Sequence, residues 1–160
     1  MRQFQTHNIP KEARGAAVAI GNFDGVHLGH QAIIDVARKH AEKNNTPLGI
    51  LTFEPHPRTF FSKKHGKDLP PFRLLNASAR FHRLEKLGID LILEIPFNQE
   101  LCELSDWDFS QKILTDAFGL SHVVVGSDFC FGKGGQGNAL SLSRHAAQLG
   151  FGITIAELKN

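Results

Sequence analysis

His27 and His30 stand three residues apart within Gly21-Asn22-Phe23-Asp24-Gly25-Val26-His27-Leu28-Gly29-His30. Imidazoles at that spacing can face one anion, and each donates a hydrogen bond or carries a charge near neutral pH. The stretch follows Ala16 to Ile20, which reads as a buried strand. It leads into Gln31 to Lys43, where Ile33, Ile34, Val36, Ala37 and Ala41 recur at helical spacing. Unpaired amides at a helix start, and the positive end of its dipole, favour a phosphate. Gly21, Gly25 and Gly29 let the chain turn sharply and let a ligand come close. A second reading stays open on these residues: Asp24 caps the helix, the glycines make the turn, and the histidines are partly exposed polar residues.

The elements that would position such a turn are legible along the chain. A length of 160 residues suits one domain with a real core and is short for two. After the first strand and helix, Gly49 to Phe53 reads as strand two, Asp90 to Ile95 as strand three, His122 to Gly126 as strand four and Phe151 to Ala156 as strand five. Between them Ala77 to Leu87, Ser105 to Phe118 and Ala139 to Leu149 read as helices, each followed by glycine. Residues 1 to 15 read as an arm, and Asn98 to Leu104 as a short connection. Strand and helix alternate, which predicts an α/β domain: a parallel five-stranded sheet with helices on both faces. Ligands of such sheets sit at the carboxyl ends of the strands, where strand order reverses.

Composition narrows the classes. A net charge of +2 is too small to point to nucleic acid, although Arg58, Lys63, Lys64, Lys67, Arg73 and Arg80 make one segment locally basic, as an anionic small ligand would want. Cys102 and Cys130 form no CxxC pair, so neither a disulfide framework nor a thiolate metal site is expected. No apolar run has signal-peptide or membrane-spanning length, so the expectation is a cytoplasmic protein without membrane contact.

Two further constellations fall on the same predicted edge. Thr52-Phe53-Glu54-Pro55-His56-Pro57 leaves strand two, and the prolines hold its exit extended. Arg58 to Asn76 has no periodicity, and its Phe60, Phe61 and Phe72 either cover a ligand as a lid or fold back on the core. The third, Val125-Gly126-Ser127-Asp128-Phe129-Cys130-Phe131-Gly132-Lys133-Gly134-Gly135-Gln136-Gly137, contains a Gly-x-Gly-x-x-Gly pattern at Gly132, Gly134 and Gly137. Ser127 to Phe131 separate those glycines from the strand, which is the wrong context for a dinucleotide fingerprint. Asp128 is either a substrate-orienting residue or a turn cap. His56 with His27 and His30 could supply zinc ligands, but no carboxylate spacing supports that.

Taken together, the three segments resemble bacterial FAD synthetases. They are similar to the Gly-x-Phe-Asp-Gly-x-His-x-Gly-His, Thr-Phe-x-Pro-His-Pro and Val-Gly-x-Asp-Phe-x-Phe-Gly elements of the adenylyltransferase module in bifunctional riboflavin kinase/FMN adenylyltransferases. The likeness runs from about Gly15 to about Ala156. It implies a Rossmann-like nucleotidyltransferase fold and the reaction of ATP with FMN to give FAD and pyrophosphate, with Mg2+. It further implies that His27 and His30 hold the ATP phosphates and that Phe23 and Asp24 shape the nucleotide site with Gly21, Asn22, Gly25 and Gly29. By the same likeness Phe53, Pro55, Pro57 and Phe61 bound the flavin, Arg58, Phe131 and Gly132 count among the binding positions, and Asp128 lies between the substrates. The family's Ser-Ser-Thr-x-x-Arg element and kinase domain are not found before Asn160, so no riboflavin phosphorylation and weakened adenylyl transfer are expected. A flavin- or nucleotide-binding module without catalysis, another adenylyltransferase with the same first motif, and, last, a nicotinamide-dependent oxidoreductase are the alternatives.

Overall fold

The computed structural model describes residues 1–5, 8–23, 28–54 and 77–157, the side chains of 28–30 and 77 excepted. Their strands are β1 (Arg2–Phe4), β2 (Ala17–Ile20), β3 (Leu48–Glu54), β4 (Leu91–Pro96), β5 (His122–Gly126), β6 (Cys130–Phe131), β7 (Gly137–Asn138) and β8 (Gly152–Ala156). Helices α1 (Leu28–Asn44), α2 (Ala77–Lys86), α3 (Gln99–Cys102), α4 (Asp106–Asp108) and α5 (Ala139–Leu149) alternate with them, and α4 continues into a π-helix, Phe109–Ala117. Six strands form one sheet in the order β1-β4-β3-β2-β5-β8, every pair parallel, and β6 and β7 make a separate antiparallel hairpin.

The continuous apolar runs of β2 to β5 follow from burial on both faces. Val18, Ile20, Leu51, Leu93, Val123 and Val125 pack with Phe109, Ile113, Leu114, Phe118 and Leu142 from the π-helix and α5. The alternate residues Ala17, Ala19, Ile50, Ile92 and Val124 pack with Ile33, Ile34, Ala37 and Ala41 of α1 and Leu84 of α2. Helices therefore cover both faces.

Two differences from the sequence reading have physical causes. The sheet has six strands, because Arg2–Phe4, expected as part of an arm, pairs alongside β4 in the register Gln3↔Ile92. A buried polar group recruits it: the Glu94 carboxylate accepts hydrogen bonds from Gln3 Nε2 at 3.2 Å, Gln5 Nε2 at 2.7 Å and Arg80 at 3.0 Å. Arg80 is 4% exposed and Glu94 7%, so this guanidinium is spent inside the protein on its carboxylate rather than offered to an anionic ligand.

The second difference is the π-helix where an ordinary helix was expected. Nine residues at about 100° each would put Phe109 and Phe118 on opposite sides of an α-helix. Both are buried in one cluster, which the wider i→i+5 winding allows. Phe118 N–H duly donates to Ile113 C=O at 3.2 Å. At the end of this helix the Arg14 guanidinium donates to the carbonyls of Asp116 and Ala117 at 3.2 and 2.8 Å, satisfying groups that a helix terminus leaves unpaired. It occupies the space where a side chain at residue 119 would begin, which Gly119 leaves open.

At the amino-terminal edge of the sheet, His40 of α1 stacks on His122 of β5 with centroids 3.6 Å apart. His122 Nε2 and Thr154 Oγ1 of β8 are 2.8 Å apart. Burial, and the neighbouring His40, push the His122 pKa down from 6.5 to about 4.

Two outcomes are expected. Arg80→Leu strands the Glu94 carboxylate and should cost about 3–5 kcal/mol in urea unfolding, most of it recovered in Arg80→Leu/Glu94→Leu. His122 has a lowered folded pKa, so its contribution is complete above pH 6.5 and is lost as pH falls from 6.5 through about 4. The urea midpoint should drop across that window, and drop less in His122→Gln.

Candidate active site

The chain runs outward from β2 through β3 to β4, then returns to β5 on the other side of β2. A crevice must open where the two directions part, above the carboxyl ends of β2 and β5. A cavity of about 780 Å³ lies there, within the usual size range of small-molecule sites. Ile20, Gly21 and Asn22 line it from the end of β2, Phe53 from β3, Phe97 from beyond β4, Gly126 from the end of β5 and Asp128 from the turn after it.

One wall is an arc of phenylalanines. Phe97 meets Phe53 edge-on at 5.9 Å, Phe53 lies 6.4 Å from Phe109, Phe109 lies 5.4 Å from Phe131, and Phe131 stacks on Phe129 at 5.4 Å. Such a surface suits a flat, largely apolar ring. The polar side is set by backbone: Thr52 Oγ1 donates to the Asn22 carbonyl at 3.2 Å, and Gly21 N–H donates to Leu51 C=O at 3.1 Å. Among the described residues, Asp128, Glu103 and Lys133 put two acidic charges and one basic charge on the lining.

Among the residues singled out in the sequence, Gly21, Asn22, Phe53, Asp128, Phe131 and Gly132 come together at this cavity. Phe23 does not line it: the ring is fully buried on the α1 face, against the position a Gly21 side chain would take at 3.4 Å. Its φ of 52° is a left-handed conformation rare for a bulky residue. Gly29 and His30 fall in the first turn of α1. Asp24, Gly25, His27, Pro55, His56, Pro57, Arg58 and Phe61 lie outside the described residues, as does the lid reading of 58–76. Among the described residues, no three His, Cys, Asp or Glu side chains come together as a metal cage.

Sequence reasoning passed over Phe97, Leu101, Cys102, Phe109 and Lys133, which also line the cavity. Phe97 directly follows a parallel strand, a position that the carboxyl-edge rule marks in advance. Leu101 and Cys102 come from α3, a single turn inside the expected connection, capped by Asn98 Oδ1 accepting from Leu101 N–H at 2.9 Å. The glycine-rich run forms the β6–β7 hairpin with a 3-10 turn at Lys133–Gly135, so its Gly-x-Gly-x-x-Gly pattern does not sit at a strand-to-helix turn. Gly132 has φ 79° and ψ 173°, a region open essentially to glycine alone. A Cβ there would meet the Asp106 backbone nitrogen at 2.7 Å. Both cysteines carry free thiols.

Comparison with known proteins finds relatives of one kind. Bifunctional riboflavin kinase/FMN adenylyltransferase of Pseudomonas fluorescens is 38% identical over 151 residues, 94% of this chain and 47% of its own. That of Escherichia coli K12 is 32% identical over 92% of this chain and 46% of its own, and that of Listeria monocytogenes 37% over 81% and 40%. The chain spans about half the length of the curated relatives it matches. A crystal structure described as a macrolide-efflux protein from Streptococcus pneumoniae superposes with TM-score 0.79 at 22% identity, over 98% of this chain and 50% of that one, a likeness of fold. No described helix is long and apolar enough to cross a membrane. The FAD synthetase family model matches residues 9–160, and with a cleft at the strand switch lined by residues of all three motif segments, this chain belongs to the FAD synthetase family.

Proposed function

We propose that this chain transfers AMP from ATP to FMN, giving FAD and pyrophosphate. The observation that carries the reading is the cavity at the β2/β5 switch, where an aromatic arc shares one space with Gly21 and Asn22 at the end of β2. In the reaction an oxygen of the FMN phosphate bonds to the α-phosphorus of ATP. The bond from that phosphorus to the bridging oxygen breaks, and pyrophosphate leaves with the electron pair. No protein nucleophile is required, so catalysis is positioning and charge neutralisation.

In this reading Phe53 and Phe131 hold the isoalloxazine ring, with Pro55, Pro57 and Phe61 completing its surround and Arg58 near the phosphate. His27, His30 and the first amides of α1 neutralise the ATP phosphates. Gly21, Asn22, Gly25 and Gly29 let the nucleotide approach the backbone, and Asp24 shapes the turn. Buried Phe23 acts from beneath by filling the space under Gly21. Asp128 orients the substrates between the two sites. Magnesium would enter as the ATP complex, since it is usually bound through substrate phosphates rather than by an all-protein cage. In this reading the protein works in the cytoplasm.

The test is titration of FMN into the purified chain by flavin fluorescence, with and without ATP and magnesium, together with a pyrophosphate assay. Saturable quenching with FAD formation is expected; binding without pyrophosphate would leave a flavin-binding module, and binding of neither FMN nor ATP would refute both. Gly132→Ala, costing about 1–3 kcal/mol in backbone strain and pushing the hairpin off Asp106, should weaken FMN binding about tenfold while leaving the far-ultraviolet circular dichroism unchanged.

A further inference from the structure

We propose that His145 is a positioning residue for the cavity wall, fixing the hairpin that carries Phe131 and Gly132 by bridging Asp106 and Ser110. The inference rests on the reading of the cavity as the FMN and ATP site, and it names residues outside all three motifs.

The β6–β7 hairpin has only two residues in each strand, Cys130↔Asn138 and Phe131↔Gly137. Isolated hairpins are marginal even when longer, so this one must be held from outside. Its contacts converge on the segment that opens α4. Lys133 N–H donates to Leu104 C=O at 2.7 Å. Side chains at residues 132 and 137 would strike Asp106, at 2.7 Å from its nitrogen and 2.8 Å from its Cβ.

Asp106 is in turn fixed from α5. His145 Nε2 lies 3.7 Å from Asp106 Oδ2, and His145 Nδ1 lies 2.8 Å from Ser110 Oγ in the π-helix. The ring is edge-on to Trp107 at 5.1 Å and to Phe131 at 6.2 Å. One imidazole thus touches α4, the π-helix and the cavity wall. A neutral ring serves both polar partners: Nε2–H faces the carboxylate, and Nδ1 accepts from the Ser110 hydroxyl. Burial holds the His145 pKa below 6.5; the Asp106 charge from α4 works against that shift, and Arg144 on its own helix adds to it. Ser110 and Phe131, from the other two elements, bring no charge.

Serine, histidine and aspartate together suggest a hydrolytic triad, but Ser110 is 0% exposed and no substrate reaches it. The group instead orders a hairpin. Protonation of Nδ1 turns an acceptor into a donor and forces the Ser110 hydroxyl to rotate. Affinity in the cavity should therefore fall as the pH drops below the His145 pKa.

The experiment compares the unaltered chain with His145→Leu, which loses both polar contacts, and His145→Asn, which can retain the one to Ser110. Amide hydrogen exchange at residues 128–137 is followed without ligand, and FMN affinity is measured between pH 5 and 8. Trp107 is the single tryptophan and the chain has no tyrosine, so its emission reports the state of the neighbouring ring. His145→Leu should exchange roughly tenfold faster in this segment, bind FMN more weakly and lose the pH dependence that follows the pH-dependent change in Trp107 emission; His145→Asn should recover part of the protection. Unchanged exchange in both variants overturns the inference, whatever FMN does. Faster exchange with unaltered FMN affinity and pH profile also overturns it. If the unaltered chain binds no FMN, the FMN reading fails, and the exchange data alone decide whether His145 holds the hairpin.

Discussion

A central strand buried on every side governs this fold. Ala17, Val18, Ala19 and Ile20 of β2 are at most 2% exposed, and the strand is paired along both edges. Such a strand has no free backbone group and no side chain that meets solvent. Whatever chemistry the chain performs must begin where β2 ends. Gly21 and Asn22 are the first residues to leave the sheet, and the Thr52 hydroxyl from the adjacent strand pins the Asn22 carbonyl as they do so. The small side chains of Ala17 and Ala19 leave room for Ile33, Ile34, Ala37 and Ala41 of α1 to pack on this face.

The reversal of strand order turns this exit into a cavity. Neighbours of β2 on both sides deliver their own carboxyl ends to the same place, so Phe53 and Asp128 meet although they are far apart in sequence. The phenylalanine arc links them. Phe109 belongs at once to the hydrophobic core and to the cavity lining, so the wall of the site is continuous with the packing that holds the π-helix. The site and the core on this face are one structure, and substitutions in either are felt in both.

Much of this was legible in the sequence, for a definite reason. Continuous apolar runs and glycine stops report burial and helix ends directly, and β5 and α5 appear at their expected bounds of 122–126 and 139–149. The unread parts depend on long-range partners. Nothing local marks Arg2–Phe4 as a strand, because what recruits it is a carboxylate at residue 94. The β6–β7 hairpin is too short to leave a periodic signature, and it packs on partners distant in sequence, Leu104, Asp106 and Phe109. The π-helix did leave a trace: apolar residues at 109, 113, 114 and 118 drift off the face of an ordinary helix. In the site, motif spacing found the residues at strand ends. It passed over Phe97, which follows β4 outside any motif, and Phe109, which reaches the cavity through the packing of the π-helix.

The buried polar groups follow the same logic. Arg80 and Glu94 lie on one face of the sheet, Ser110 and His145 on the other; the first pair ties α2 to β4, and the second ties α5 to the π-helix. Apolar residues of similar size would fill these positions at less desolvation cost. What a hydrogen-bonded pair adds is direction: a guanidinium or an imidazole is satisfied in few arrangements, whereas a leucine packs in many. We read both pairs as devices that fix arrangement. Arg80 reaches Glu54, the last residue of β3, at 3.6 Å, where the chain departs toward Pro55. His145 steadies the hairpin that closes the opposite wall. The sheet supplies the rigid base of the cleft, and these two polar clusters set the course of the segments that leave it.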